Sequence, residues 1–279
     1  MQHDYYRPNV TSHFKAALDK NGMPIAWTND YTTDDKANPE AHIVYGIGNQ
    51  AVRAGKVATH VPTGPWRSVE ASWHGFFIES FVDELAHAAN KDQVAFRQAM
   101  LTNAPRHLAV LNLAAKKAGW GTPMQAGQGR GIALFESFQT IVAHVAEVTV
   151  SNGAVRVDRI VSAVDCGMAV NPDGLKAQIE GAIIYGLSAA LYEAITIDNG
   201  AVVQANFPDF EVVRMAEAPA IEVYIQESDG PIGGAGEPGV PPIGPAVTNA
   251  IFAATGTRIR KLPIADQLAS PSGHQTAQL

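Results

Sequence analysis

An α+β fold, with hairpins and mixed sheets against packed helices, is predicted by three observations on the 279-residue sequence. Asn-Gly dipeptides at 21–22, 152–153 and 199–200 each lie between runs that read as strands. Other stretches repeat apolar residues at helical spacing. Strands and helices also fail to alternate one for one, which argues against a sheet built from β-α units. At 46% hydrophobic and 17% charged residues, the chain can bury a large core in one or two domains. The expected division is a hairpin and helical segment over 1–120, a second segment over 121–268, and a polar, disordered tail over 269–279.

Residues 13–33 read as the first hairpin, turning at Asn21-Gly22. Residues 34–56 read as polar and irregular. The stretch HVPTGPWRSV, residues 60–69, is a rigid loop presenting one cation, Arg67, either a surface charge or a ligand contact. Residues 72–90 carry Phe76, Phe77, Phe81, Leu85 and Ala88 at helical spacing, which places Glu79, Asp83 and Glu84 on outer or flanking faces. His74 and His87 read as structural. Lys91-Asp92 opens a second short helix, and Ala104-Pro105 a third that runs to about Ala118.

Residues 119–131, GWGTPMQAGQGRG, form a glycine-rich loop containing Gly127 and Gly129. It has neither a following Gly-Lys-Ser/Thr nor G-x-G-x-x-G spacing, so taken alone it reads as a turn entering a strand at Ile132. The second hairpin pairs 142–150 with 155–164 and empties into Asp165-Cys166-Gly167. Asn171 or Asp173 caps a helix over 174–193. Gly181 and Gly186 lie inside that helix, each costing about 1 kcal/mol relative to alanine, which points to close approach by a backbone or a bulky ligand. Gln178, one turn from Gly181, either faces the same way or is an ordinary exposed helical residue. A third hairpin over 195–206 and a strand over 221–226 follow.

The stretch PIGGAGEPGVPPIGP, residues 231–245, sets one carboxylate, Glu237, among five glycines and five prolines. Such a segment is irregular and stiff. Pro245 suits the first turn of a helix that runs to Ala254 and stops at Gly256. An acid pinned beside a helix start either meets a ligand or is a solvated residue on a tight turn.

The net charge of −7 gives no broad basic surface for nucleic acid. No run approaches the roughly 18 apolar residues that span a bilayer, and the first residues, MQHDYYRPNV, do not read as a signal peptide. The single cysteine, Cys166, excludes an internal disulfide and an iron–sulfur cluster held by this chain alone, which takes about four thiolates. Electrons from any redox reaction must therefore leave through another polypeptide. Cys166 lies in a D-C-G turn and Ser68 in no nucleophile elbow, so hydrolase chemistry is set aside.

Four stretches, taken together, resemble the molybdenum-binding subunit of the molybdenum hydroxylases (the xanthine oxidase and aldehyde oxidase family), nearest to its branch of isoquinoline 1-oxidoreductase β-subunits. They are GPWRSVEAS at 64–72, GQGRGIALFESFQTIVAHVAEVTV at 127–150, VDCGMAVNPDGLKAQIEGAIIYGLSAALYE at 164–193 and GGAGEPGVPPIGPAVTNAIFAATGTRIRKLPI at 233–264. HDYYRP at 3–8 is similar to that branch as well. The resemblance implies a molybdenum–molybdopterin cofactor, in the cytosine dinucleotide form, with no residue of this chain as a direct metal ligand. It implies that Glu237 is the general base that takes up a proton as water-derived oxygen is delivered to an electron-poor carbon. Gly234, Ala235, Gly236 and Gln178 would contact the cofactor, with Arg67, Gly127 and Gly129 near it. The arginine loop reads Trp66-Arg67-Ser68 where the family pattern has Phe-Arg-Gly, which puts borrowed substrate roles in doubt.

Such subunits are far longer, so this sequence is similar to the C-terminal part of one. The expected partners are the remaining N-terminal part, a small [2Fe–2S] subunit, a small-molecule substrate and a cytochrome acceptor, in a bacterial cytoplasm or periplasm. The substrate class stays open between N-heteroaromatic rings and aldehydes. The competing expectation is a non-catalytic scaffold or orphan fragment that keeps the fold without a working metal site.

Overall fold

The computed structural model describes residues 5–33, 39–265 and 267–268, and it is α+β. Strand β1 (Thr11–Leu18) pairs antiparallel with β2 (Pro24–Thr33), and β2 pairs parallel with β3 (Asn49–Lys56). The first hairpin forms as expected, with a longer turn than two residues. The Asp19 carboxylate accepts the backbone N–H groups of Asn21 and Met23, both at 2.8 Å, and Gly22 takes φ +72°. Residues 49–56, expected to be irregular, are the strand β3. Their polar composition hides the strand, because most of its side chains are exposed and its ladder partner is remote in sequence. Of the rest of that irregular stretch, residues 34–38 lie outside the described residues. So do His3 and Asp4 of the HDYYRP match, Ala269 and the tail beyond it.

Helices α1 (Ala71–Ala88), α2 (Gln93–Met100) and α3 (Pro105–Ala118) follow. The Asp92 carboxylate caps α2 by accepting the N–H groups of Val94 and Ala95, and Gly119 ends α3 at φ +66°. Then come β4 (Gln128–Ser137), β5 (Thr140–Ser151) and β6 (Ala154–Asp165), helix α4 (Pro172–Leu191), the short hairpin β7 (Ile197–Asp198) and β8 (Ala201–Val202), β9 (Ala220–Ile225) and α5 (Ile243–Thr255). The second sheet runs β4-β5-β6-β9, antiparallel except for the parallel β6–β9 pair. Asn152 and Gly153 turn the β5–β6 hairpin at φ +51° and +76°.

This second sheet is the middle layer, and strand alternation divides its core between two faces. Ile132, Leu134, Ala143, Val145, Val161 and Ala163 join Ile78, Phe96, Val110 and Leu111 under α1, α2 and α3. Ala133, Val142, Ala146, Ile160 and Val164 join Ile179, Ile183, Val247 and Ile251 under α4 and α5. The loop between α3 and β4 is where the chain was expected to divide.

Glu79 and Asp83 correct the surface reading of α1: both are buried. Glu79 accepts the Tyr45 hydroxyl at 2.6 Å, Arg97 Nε at 2.9 Å and the Leu134 backbone N–H at 2.9 Å. Asp83 accepts Arg258 Nη1 at 2.5 Å and lies 3.8 Å from Arg97 Nη1. Both oxygens of Glu79 are hydrogen-bonded. Among the described residues Asp83 has a bond on Oδ2 only, and its Oδ1 is left with the charge of Arg97. Pairing with cations is what lets such carboxylates sit in a core. The cations come from α2 and from beyond α5, which the local pattern around Glu79 does not reveal.

Candidate cofactor-binding site

The Glu237 loop crosses the sheet edge where β4 ends, β5 begins and β6 ends. Its first half is tied by backbone bonds: the Gly233 N–H donates to Cys166 O at 3.0 Å and the Gly234 N–H to Phe138 O at 2.8 Å. The fit is close. A Cβ on Gly233 would collide with Thr140 Oγ1 and the Gln139 backbone. Gly167, at φ +70°, leaves so little room that a Cβ would lie 2.5 Å from Pro231 O.

Four carbonyls of the loop are then held by side chains from other elements. Thr140 Oγ1 donates to Gly234 O at 2.6 Å, Arg67 Nε to Gly236 O at 2.8 Å, Ser68 Oγ to Glu237 O at 2.5 Å and His144 Nε2 to Gly239 O at 2.8 Å. Burial lowers the His144 pKa to about 4, so the ring is neutral and carries one proton. With that proton on Nε2 it is the donor to Gly239.

Arg67 itself stands on a bent segment. Ser68 and Val69 take φ of +72° and +38°, a region that L residues with side chains seldom enter. The segment is closed by the Val69 N–H on Trp66 O at 2.6 Å and by Ser72 Oγ on Val69 O at 2.7 Å. Arg67 Nη2 also reaches Gln178 Oε1 at 3.4 Å. Gln178 lies on the exposed N-terminal half of α4, which Asn171 Oδ1 caps by accepting the Gly174 N–H at 3.0 Å. Of the two helix glycines, Gly186 admits close approach, since a Cβ there would lie 2.5 Å from Ile243 Cγ2. Gly181 faces open space, with nothing within 4 Å.

The fold thus gathers Arg67, Gln178, Gly234, Ala235, Gly236 and Glu237 at one place. The Glu237 carboxylate is half-buried, and among the described residues no hydrogen bond or ion pair ends on it. Beside it Gly236 has room: the nearest atom to a Cβ there would be Gln178 Oε1 at 3.9 Å. The surface therefore has open backbone, an amide, a guanidinium and a free carboxylate. A cavity of about 380 Å³, walled in part by Glu40, Tyr45, Leu134 and Phe138, borders the same Phe138-Gln139 turn. Among the described residues no group of three or more His, Cys, Asp and Glu is placed to hold a metal ion.

Gly127 and Gly129 are not brought to this cluster. They lie at the opposite end of β4 from Phe138, about nine residues or roughly 30 Å along an extended strand. Gly129 is in β4 rather than in a loop, and a Cβ on it would strike Ala250 O of α5. Its small size serves helix-on-sheet packing. In the sequence Ser68 stood out only as a departure from the family pattern, and Thr140 and His144 did not stand out at all. Nothing local marks them: a buried histidine in an apolar strand carries no periodic signal. The Phe138-Gln139 turn, with φ +53° and +64°, was hidden because neither residue is glycine or asparagine.

Residues 66–219 match the family model of the molybdopterin cofactor-binding domain. The chain is 35% identical to the β-subunit of isoquinoline 1-oxidoreductase from Brevundimonas diminuta, over 81% of this chain and 30% of that protein. It is 36% identical to a nicotinate dehydrogenase subunit from Pseudomonas putida, over 71% of this chain and 18% of the other. A membrane-bound aldehyde dehydrogenase of Gluconacetobacter polyoxogenes is 36% identical over 71% of this chain and 28% of its own length. The chain therefore spans less than a third of the length of these relatives. Its fold is that of quinoline 2-oxidoreductase from Pseudomonas putida 86, with TM-score 0.80 at 14% identity over 93% of this chain and 61% of that one. The aldehyde oxidoreductase of Desulfovibrio gigas superposes with TM-score 0.74 at 16% identity, over 94% of this chain and 49% of the other. With a family model matched over more than half its length and a clamped, open-surfaced loop at the matched fold's edge, the chain belongs to the molybdopterin cofactor-binding domain family of the molybdenum hydroxylases' molybdenum-binding subunits.

Proposed function

We propose that this chain is the C-terminal part of the catalytic subunit of an oxidoreductase that hydroxylates an N-heteroaromatic ring or oxidises an aldehyde with oxygen from water. Glu237 is the general base. The observation that carries this reading is the free Glu237 carboxylate on a loop whose carbonyls are held at four points. A base works when it is held within hydrogen-bond reach of the proton it takes, and such positioning contributes about 10²- to 10⁴-fold.

The residues fit a bulky molybdopterin cofactor. Gly234 and Gly236 offer backbone without side chains, Gln178 offers an amide and Arg67 a positive charge for an anionic group. When bound, in the proposed cytosine dinucleotide form, the cofactor supplies the redox centre and the water-derived oxygen. This chain supplies placement: Arg67 and Ser68 hold the two peptide groups that flank the Glu237 Cα, and Glu237 accepts the proton.

Electrons leave through a partner, because one cysteine falls short of the about four thiolates that a cluster takes. The proposed partner is a small [2Fe–2S] subunit, with a cytochrome as a further acceptor. That relatives are named as subunits of larger enzymes supports a multi-subunit assembly. Phe138, Met168, Val170 and Ile232 are exposed apolar residues on or close to the Glu237 loop's supports, which supports packing of the remaining molybdenum subunit there. The cavity bordering Phe138 supports a small-molecule substrate.

The test is Glu237→Gln in the assembled complex. Molybdenum per chain should stay at the wild-type level while turnover falls about 10²-fold or more. Wild-type turnover in this variant would remove Glu237 from the mechanism. A wild-type assembly that binds its partners and holds no molybdenum would establish the non-catalytic alternative.

A further inference from the structure

Arg67 is steered by more than its hydrogen bonds. Its guanidinium carbon lies 5.5 Å from the centre of the Tyr185 ring, and Tyr185 in turn meets Trp66 with ring centres 4.7 Å apart. On Trp66 sits a second guanidinium, that of Arg7, at 4.2 Å from the ring centre. The result is a continuous cation–ring–ring–cation stack from the N-terminal segment to the Glu237 loop. Tyr185 lies on α4 two turns after Gln178, so both reach Arg67 from one helix face.

The far end of the stack is anchored. The Tyr6 N–H donates to Pro62 O at 2.8 Å and the Gly64 N–H to Tyr6 O at 3.0 Å, strapping the N-terminal segment along the loop before Trp66. Arg7 Nη2 donates to Ser72 Oγ at 3.0 Å, and that hydroxyl closes the bent segment through Val69 O.

We propose that Tyr185 is a positioning residue: in contact with Trp66 and Arg67, it holds the Arg67 guanidinium on the Gly236 carbonyl and so fixes the backbone that presents Glu237. An arginine side chain left to itself samples many rotamers, and a ring against its flat face reduces that freedom. Tyr185 touches no reacting group in this scheme. It acts through Arg67. The consequence for turnover rests on the function proposed above; the consequence for loop order does not.

The experiment is hydrogen exchange read by mass spectrometry over residues 233–240, on the full chain, for Tyr185→Leu, Tyr185→Phe, Arg67→Ala and the Tyr185→Leu/Arg67→Ala pair. Loss of one cation–ring contact should speed exchange of the loop about fivefold in Tyr185→Leu. Tyr185→Phe, which keeps the ring, should restore most of the protection. In the Arg67→Ala background, Tyr185→Leu should add nothing, because the two act as one unit. In the assembled enzyme, Tyr185→Leu should lower kcat about fivefold, with Tyr185→Phe again restoring it. Unchanged exchange in Tyr185→Leu, or additive effects in the pair, would overturn the inference. Absence of molybdenum from the assembled wild type would overturn the proposed function instead, and the exchange data would still judge the stack.

Discussion

Ser68 and Val69 adopt left-handed backbone at φ +72° and +38°, and Ser68 is fully buried. The family pattern that this loop resembles has glycine at the Ser68 position, where the conformation is free of Cβ penalty. The serine keeps that backbone at a cost of about 1–2 kcal/mol and gains a hydrogen bond to Glu237 O worth about 1 kcal/mol. Two substitutions separate these effects. Ser68→Gly should leave the unfolding free energy within about 1 kcal/mol of wild type, since it loses strain and bond together. Ser68→Ala keeps the strain and leaves Glu237 O with only the Val240 N–H at 3.0 Å, so it should destabilise by about 1 kcal/mol in chemical denaturation. Equal stability of the alanine variant and wild type would mean that the hydroxyl does not hold the loop.

At the scale of elements, glycines in this chain do opposite things. Gly129, Gly131 and Ala133 share one face of β4, and their smallness lets the backbone of α5 lie on the sheet. A Cβ on Gly131 would strike Ala250 N and Ala246 O. Gly131→Ala should therefore destabilise by about 3 kcal/mol or more, because backbone on both sides would have to move. Gly181 has nothing within 4 Å of a Cβ and sits inside α4, so Gly181→Ala should stabilise by about 1 kcal/mol. Urea denaturation of the two variants checks both signs. A stable Gly131→Ala protein would show that α5 rests less closely on β4 than its packing indicates. The Asn-Gly hairpins and the capped helices were legible because turn and cap chemistry is local. Strand β3 was not, because β2 decides its pairing. The burial of Glu79 and Asp83 was hidden for the same reason, since Arg97 and Arg258 decide it.

For the whole molecule, acid is the condition that its buried histidines resist least. His74 and His144 both lie in the core, and burial pushes each down to about 4 from 6.5. Below pH 6.5 the unfolded chain binds protons that the folded chain refuses, so stability falls as pH drops from 6.5 towards 4. Glu193, pushed up to about 7 by burial, works in the opposite direction between 4.5 and 7. A variant comparison isolates the histidine. The His74 ring meets Tyr31 edge-on and among the described residues has no hydrogen bond on either nitrogen, so His74→Phe keeps the aromatic contact and removes the titration. Between pH 7.5 and 5 this variant should lose about 2 kcal/mol less unfolding free energy than wild type. An identical loss in both proteins would show that His74 gains its proton in the folded state.

From the residues alone came the α+β class, the three Asn-Gly hairpins, the start of α2 at Lys91-Asp92, a cap for α4 at Asn171 or Asp173, and the glycine-proline loop with Glu237 as its single acid. The resemblance at 64–72, 164–193 and 233–264 likewise pointed to Arg67, Gln178 and Gly236, which the fold brings together. These are properties of short segments, in which backbone preferences and side-chain spacing act over a few residues. The tertiary structure alone decided how the Glu237 loop is held. Thr140, Ser68, Arg67 and His144 reach it from positions that are 94, 169, 169 and 95 residues away in sequence. It also gave Gly129 to packing rather than to the site. Hydrogen bonds between remote segments leave no periodicity in the chain, because their geometry exists only once the sheet edge has formed.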